Sequence, residues 1–389
     1  MNKKIVIFCD NFYPNVDGVV KVINNYGRVL SKGNDVALVV PDYKDGNNVE
    51  HEYKVVRKKA IPIKLRDYIL PLPLHCRKTD KFLKEHKSDI YHVHSPFYLG
   101  HYALKQAKRN HVPVIATFHS QFKRDYMERT HSGFLTWIAM RLTMRFFNRC
   151  DEVWAVSNAT ANTLRSYGYK KDIFVAKNGT AFTYPENMDE LKEIAKSQYK
   201  IDTNKKCIIY VGQIREIKNI KLIIDTINLL SKERNDFHFY FIGDGLDEPK
   251  FKKYVHKLEL DNVMTFVGRI SGGQGMQGFL GNADLMFFPS VYDNSSIAVQ
   301  EACVCGVPVL FTEGSNTSEG FKDHQTGYLA KENPEAMKDK LNYILDHDKE
   351  RKEVGQRASK EMPRTWEEVI SDAEKRYDLV IENYKNKHK

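Results

Sequence analysis

Short apolar runs alternate along this chain with longer segments of helical period, and most of the runs end at glycine, proline, serine or asparagine. In the first half, Ile5–Cys9, Asp35–Pro41, Asp89–His94, Pro113–Thr117 and Asp151–Ser157 read as strands. Helical segments at Val19–Leu30, Phe97–Lys108 and Ala159–Tyr167 lie between them. The second half repeats the alternation, with strands at Ile208–Val211, Phe237–Ile242, Val263–Val267 and Leu285–Pro289 and another opening at Pro308. A helix follows at Asn333–Leu345, and a last one starts at Thr365-Trp366. Strand, turn and helix in this order predict doubly wound α/β domains. A chain of 389 residues suits two of them, each with its own core, joined by the polar stretch Glu186–Lys206.

One stretch concentrates the candidate chemistry. In FFPSVYDNSSIAVQEACVCGVPVLFT, residues 287–312, an apolar strand runs into a loop holding Asp293. Ser295 or Ser296 then caps a helix that carries Glu301, and Gly306 ends it. The two carboxylates are separated by seven residues, one before the helix and one about a turn and a half into it, roughly 7–8 Å of rise. A phosphate at the helix start meets the N–H groups of Ser295, Ser296 and Ile297 and the positive end of the helix dipole. Asp293 is then placed to accept from a sugar hydroxyl, and Glu301 from a ribose. That arrangement suits a nucleotide sugar.

Other stretches carry weaker signals. Gly18 follows the first strand and opens its helix, where a glycine lets ligand approach the backbone. His119 stands at the C-terminal end of a strand, where doubly wound sheets place their ligands; His92 and His94 read as structural, with His94 at its strand end. Gly212-Gln213-Ile214-Arg215-Glu216-Ile217-Lys218 leaves the first strand of the second half with two cations. Residues 273–278 spell GxGxxG, the dinucleotide fingerprint, but the next strand begins at Leu285, leaving barely two helical turns. A flexible loop beside the nucleotide base is the reading preferred there.

Residues 287–312 resemble the acidic signature of the large retaining glycosyltransferase family 4: Glu, seven residues, Glu, then Cys-Gly-x-Pro. Asp293 stands for the first Glu, and Asn294-Ser295-Ser296-Ile297 for the usual Pro-Phe-Gly-Leu. FYPNVDGVV, HVHSPF and ATFHS are similar to further stretches of that family, so the resemblance covers nearly the whole chain. It implies two facing Rossmann-like domains (GT-B): an acceptor domain at 1–182, a donor domain at 183–365 and a helix at 366–389 returning to the first. It implies that His119 faces the reacting carbon of the donor and that Lys218 supports the leaving diphosphate. The family usually has Gly-Arg at Gly212-Gln213 and Glu-Lys at Ile217-Lys218, so one cation is missing, and Arg215 is the nearest substitute. On this reading His119, Asp293 and Lys218 are catalytic, while Gly18, Arg215, Lys218, Ser295, Ser296, Ile297 and Glu301 bind the donor. No cofactor or metal is expected; the nucleotide sugar, a UDP-sugar by preference, is a substrate.

The net charge of +10 calls for an anionic partner, and no nucleic-acid motif accompanies it. Basic and apolar residues mix in two stretches, Arg57–Lys87 and Thr136–Arg149. The first reads as a solvated loop and helix face or as an acceptor and membrane surface. In the second, apolar residues occupy more than one face, so core packing is preferred. No apolar run is long enough to cross a bilayer, and the start, MNKKIVIFCDNFYP, reads as a buried strand rather than a signal peptide. Six cysteines at irregular positions form no disulfide or metal framework, and Cys303 and Cys305 read as packing. The expected enzyme moves a sugar, with retention, to a membrane lipid or cell-envelope glycan from the cytoplasmic side. Its rivals are a polysaccharide or protein glycosyltransferase and a nucleotide-sugar-binding protein without transferase activity. A glycosidase would use two carboxylates but give Lys218 no task.

Overall fold

The computed structural model describes residues 2–14, 17–42, 50–65, 68–73, 77–270 and 272–388, with only the backbone of 60–65 and 68–73. The chain forms two compact units, one of Met1–Asn178 with Trp366–Lys389 and one of Gly179–Thr365. In the first, β1 (Lys4–Phe8), α1 (Gly18–Leu30), β2 (Asp35–Asp42), β3 (Lys54–Leu65), β4 (Tyr68–Pro73) and α2 (Arg77–His86) are followed by β5 (Ile90–Val93) and α3 (Tyr98–Asn110). Then come β6 (Val114–Phe118), α4 (Phe122–Thr130), α5 (Gly133–Arg149), β7 (Glu152–Ala155), α6 (Asn158–Ser166) and β8 (Ile173–Val175). The sheet order is β4-β3-β2-β1-β5-β6-β7-β8, parallel except for the antiparallel pair β3 and β4.

The second unit runs through α7 (Met188–Tyr199), β9 (Lys206–Val211), α8 (Ile220–Leu230), β10 (Phe237–Ile242), α9 (Glu248–Lys257), β11 (Met264–Gly268) and α10 (Gly273–Gly281). It continues with β12 (Leu285–Phe288), α11 (Ile297–Val304), β13 (Val309–Thr312), β14 (Tyr328–Ala330), α12 (Pro334–Asp346) and α13 (Asp348–Glu361). Its six strands, all parallel, lie in the order β11-β10-β9-β12-β13-β14. The first strand in sequence is thus central, and the chain reverses direction across the sheet between β9 and β12. Such a reversal opens a crevice outside the carboxyl ends of the two strands, the usual ligand position in open α/β sheets. The first unit has the same reversal between β1 and β5.

The last helix, α14 (Trp366–Lys387), belongs to the first unit. Buried Tyr377 stacks on Trp154 at 5.2 Å between centroids, and the Arg376 guanidinium forks onto Glu152 at 2.8 and 2.7 Å. Asn34 donates to Glu374 at 2.7 Å, and Trp366 packs edge-on against Tyr26.

Two expectations are corrected by the fold. The GxGxxG at 273–278 is not a flexible loop but the start of α10, which packs along α7. A Cβ on Gly278 would meet the Leu191 carbonyl oxygen at 2.2 Å, and one on Gly281 the Met188 sulfur at 2.6 Å. The glycines at 278 and 281 therefore serve helix packing rather than a phosphate turn. The second correction concerns Thr136–Arg149, which does not form core along most of its length. Between Gly133 and Leu142, α5 buries Thr136, while Phe134 (69% exposed), Leu135, Trp137 (56%), Ile138 and Leu142 (58%) face water. Its last turns enter the core through Phe146 and Phe147, and Met140 and Met144 pack against that core half-buried.

Candidate functional site

The loop after β9 is built by close backbone contacts. Ile214 N–H donates to the Asp244 carbonyl at 2.9 Å, and a Cβ on Gly243 or Gly245 would meet the Gly212 or Ile214 carbonyl oxygen at 2.0 or 2.3 Å. Only glycine lets the loops after β9 and β10 approach so closely, and Gly243 also takes φ +130°. A single 3-10 turn, Glu216–Lys218, follows, and Asn219 ends it in the left-handed region at φ +60°. The Asn219 amide donates to the Pro289 carbonyl at 3.0 Å and to Glu332 at 2.8 Å, fastening this loop to the end of β12.

That fastening brings together two of the residues singled out in the sequence. Lys218 Nζ is ion-paired with Asp293 Oδ1 and lies 4.6 Å over the Tyr292 ring. Lys218 is 8% exposed, a buried cation matched by a carboxylate and an aromatic face. The other Asp293 oxygen, Oδ2, is buried without a hydrogen-bond partner among the described residues, as is Gln300 Oε1. An ionised carboxylate can accept up to four hydrogen bonds, so Oδ2 retains capacity for a hydroxyl donor. Tyr292 was not among the residues read from the sequence; only its place beside Asp293 hinted at it.

Of the two candidate caps, Ser296 is the one used. Its Oγ accepts from Val299 N–H at 3.4 Å, and α11 begins at Ile297. Ser295, Ser296 and Ile297 thus lie at the start of this helix, and Glu301 follows half-buried in its second turn. Gly306, at φ +74°, stops the helix, and α13 packs so closely there that a Cβ on Gly355 would lie 2.0 Å from the Gly306 carbonyl oxygen. Buried Asn294 accepts from the Asn316 amide at 2.8 Å, which ties the loop to the segment after β13. Arg215, in extended backbone just before the 3-10 turn, is half-buried, whereas Gln213 is exposed. Burial holds the thiols of Cys303 and Cys305 up at about 12, so both stay protonated and serve as packing groups.

In the first unit, Gly18 is the first residue of α1 and a Cβ there would meet nothing within 4 Å. The preceding Asp17 caps the helix, accepting from Val20 N–H at 2.8 Å. Asp10, which the sequence reading passed over, sits at the reversal between β1 and β5. Its carboxylate accepts from the Ser95 hydroxyl at 2.6 Å and the Leu99 N–H at 2.8 Å, at the start of α3. Burial nonetheless raises its pKa to about 6.

His119 leaves the end of β6 into a cluster of imidazoles. Its Nε2 meets Nδ1 of His94 at 2.9 Å; His94 and His92 pack at 4.2 Å between centroids. His92 is held by the Tyr377 hydroxyl at Nδ1 (2.6 Å) and by Thr117 Oγ1 at Nε2 (2.7 Å). Burial depresses His92 and His119 to about 3 and His94 well below its ordinary value, so all three are neutral near pH 7.

The basic residues of Arg57–Lys87 are divided. Arg57 lies over the Phe12 ring at 5.6 Å and Lys58 is buried over the Tyr102 ring at 4.2 Å, so neither forms an open surface. Arg66 and Cys76, and the side chains of Ile61, Lys64, Leu65, Tyr68, Ile69, Leu70 and Leu72, lie outside the described residues. On α5, by contrast, Arg141, Arg145 and Arg149 are exposed, and Arg141 lies over the Trp137 ring at 5.5 Å. Among the described residues no group of side chains suits a metal ion, and no helix is long and apolar enough to cross a membrane.

Comparison with known proteins adds to this geometry. Residues 16–182 match the model of Glycosyltransferase Family 4, and residues 192–361 match that of Glycosyl transferases group 1. The chain is 23% identical to a GDP-mannose-dependent alpha-mannosyltransferase of Corynebacterium glutamicum, over 97% of this chain and 89% of that protein. It is 26% identical to an alpha-monoglucosyldiacylglycerol synthase of Streptococcus pneumoniae, over 79% of this chain and 70% of that one. Among solved structures, Anabaena HepE in complex with UDP-glucose superposes with a TM-score of 0.78 at 14% identity, covering 97% of this chain and all of that one. Two Rossmann-like units, each matched by a glycosyltransferase model, make this chain a glycosyltransferase of the family 4 type with the GT-B class of fold.

Proposed function

We propose that this glycosyltransferase moves a hexosyl group, with retention, from a nucleoside diphosphate sugar to the hydroxyl of a membrane lipid, working at the cytoplasmic face of an anionic bilayer. The second unit holds the donor and the first the acceptor. Lys218 and the N–H groups at the start of α11 meet the diphosphate, where negative charge builds as the sugar leaves. Glu301 accepts from the ribose, and Asp293 Oδ2 from a sugar hydroxyl. UDP is the preferred donor diphosphate, in keeping with the UDP-glucose of the Anabaena structure; the mannosyltransferase relative makes GDP the alternative.

The observation that carries the lipid acceptor is the exposed apolar face at the start of α5. A soluble helix turns its large apolar residues inward, yet here Thr136 is buried and Phe134, Trp137 and Leu142 are exposed beside three arginines. Trp and Phe seated among Arg side chains suit the boundary between headgroups and acyl chains. A second copy of the same basic face would be repelled, whereas acidic headgroups attract each Arg by about 1 kcal/mol. The synthase relative is named for a diacylglycerol lipid, which agrees.

Flotation with vesicles tests this reading. Full-length protein is expected to float with phosphatidylglycerol vesicles at low salt, to be released as salt rises, and to ignore phosphatidylcholine vesicles. Trp137→Ser with Leu142→Ser is expected to abolish flotation without loss of stability, since both side chains are already in water. Failure of the wild-type protein to float at low salt would move the acceptor to a soluble glycan.

A further inference from the structure

His94 is buried, and its Nδ1 meets Nε2 of His119 at 2.9 Å. Its other nitrogen, Nε2, is buried with no hydrogen-bond partner among the described residues. A neutral imidazole has one N–H and one lone pair, so the two rings can share their bond in two ways. If His119 donated from Nε2, His94 would accept at Nδ1 and carry its own proton on Nε2, a buried N–H with nothing to bond. If His94 donates from Nδ1, its Nε2 is only a buried lone pair. Orphaned buried donors are rarer in folded proteins than under-satisfied acceptors. An imidazolium at His94 is excluded by burial beside two further imidazoles.

We infer that His94 is a positioning residue: its Nδ1–H donates to His119 Nε2 and fixes His119 as the tautomer with its proton on Nδ1. His119 then acts from Nδ1 as a hydrogen-bond donor, and its Nε2 is not available as a base. The surrounding residues hold this arrangement in place. His92 is bonded at both ring nitrogens, to Tyr377 on α14 and Thr117 on β6, and it packs against the His94 ring. Tyr26 packs edge-on against both rings, at 5.6 and 5.5 Å. The last helix thus braces the histidine at the end of β6 through two intermediate rings. The part played in the reaction rests on the reading above that His119 faces the reacting carbon of the donor.

The test uses the full-length protein with 15N-labelled histidine. The His119 signals, identified by their loss in His119→Gln, are expected to show a protonated Nδ1 and an unprotonated Nε2 at pH 7. His94→Leu, which has no donor, is expected to lose this pattern, and His94→Asn, whose amide N–H reaches near the former Nδ1, to keep it. Turnover is expected to fall about 10-fold or more in His94→Leu, with the KM for the donor little changed, and to recover in His94→Asn. A His119 proton on Nε2 in the wild-type protein would overturn the tautomer assignment. The expected spectra with undiminished turnover in His94→Leu would instead overturn the placement of His119 at the reacting sugar, and with it the part of His94 in the reaction.

Discussion

Lys218 and Asp293, on the loops that leave neighbouring strands β9 and β12, form an ion pair in which the lysine is buried and one carboxylate oxygen has no partner among the described residues. The pairing alters what the lysine is worth. As an exposed side chain Lys218 would contribute little to folding, but removing a buried partner leaves the other charge stranded. Lys218→Ala is therefore expected to lower stability by about 2–3 kcal/mol as well as turnover, with the carboxylate's partial exposure keeping the loss below that of a fully buried pair. Lys218→Met combined with Asp293→Asn is expected to recover most of the stability and none of the activity. Denaturant midpoints for Lys218→Met, Asp293→Asn and the double variant give the coupling. Additive losses would mean that the pair is not a stabilising unit.

Glu301, assigned above to the donor ribose, is expected to bear on nucleotide affinity. A charge-assisted bond to a ribose hydroxyl is worth about 1.5–3 kcal/mol, so Glu301→Gln is expected to weaken nucleotide binding roughly 10- to 100-fold. The amide keeps the size and shape of this half-buried side chain, so the fold is expected to stay intact. Calorimetry on the variant decides this, and an unchanged affinity would remove Glu301 from the site.

Stability should depend on pH in a definite direction. His92, His94 and His119 have folded pKa values below their unfolded value near 6.5, so the unfolded chain takes up their protons first and stability falls as pH drops through that value. Asp10, at about 6, and Asp17, also raised, act in the opposite sense, because the folded state binds their protons more readily. His51, His101 and His238 are held below their ordinary value as well, so imidazoles outnumber the two raised carboxyls and at least one net proton is left, or about 1.4 kcal/mol lost per unit as pH falls from 6.5 to 5. Urea unfolding across that window checks the sign. A flat or rising stability on acidification would show that the imidazole cluster is not held neutral.

Gly278→Ala tests the reassigned glycine motif. The added methyl would press on the Leu191 carbonyl, and separating α10 from α7 is expected to cost about 1–3 kcal/mol or more. A variant as stable as the wild-type protein would mean that this helix contact is looser than its geometry.

Much of the molecule was legible in the sequence because buried parallel strands read as uninterrupted apolar runs and their turns as glycine and serine. The helix after Ser296 and its stop at Gly306 follow from local rules of capping and left-handed backbone. What stayed hidden depends on groups distant in the chain. Lys218 and Asp293 meet because Asn219 fastens two loops, and His94 meets His119 because β5 and β6 are neighbours in the sheet. Nothing local reports either meeting. The exposed face of α5 was hidden for a different reason: apolar residues around a helix normally mean burial, and here both the core face and the face in water carry them.

The most direct test of the donor site is calorimetric titration with UDP against UMP, and with GDP against GMP, in the wild-type protein and in Lys218→Met. Lys218 and the start of α11 are assigned to the diphosphate, so for the accepted base the diphosphate is expected to bind about 10- to 100-fold more tightly than the monophosphate, and this preference is expected to collapse in Lys218→Met. Equal binding of di- and monophosphates for both bases, or a preference that survives in Lys218→Met, would contradict the assignment of Lys218 to the leaving diphosphate.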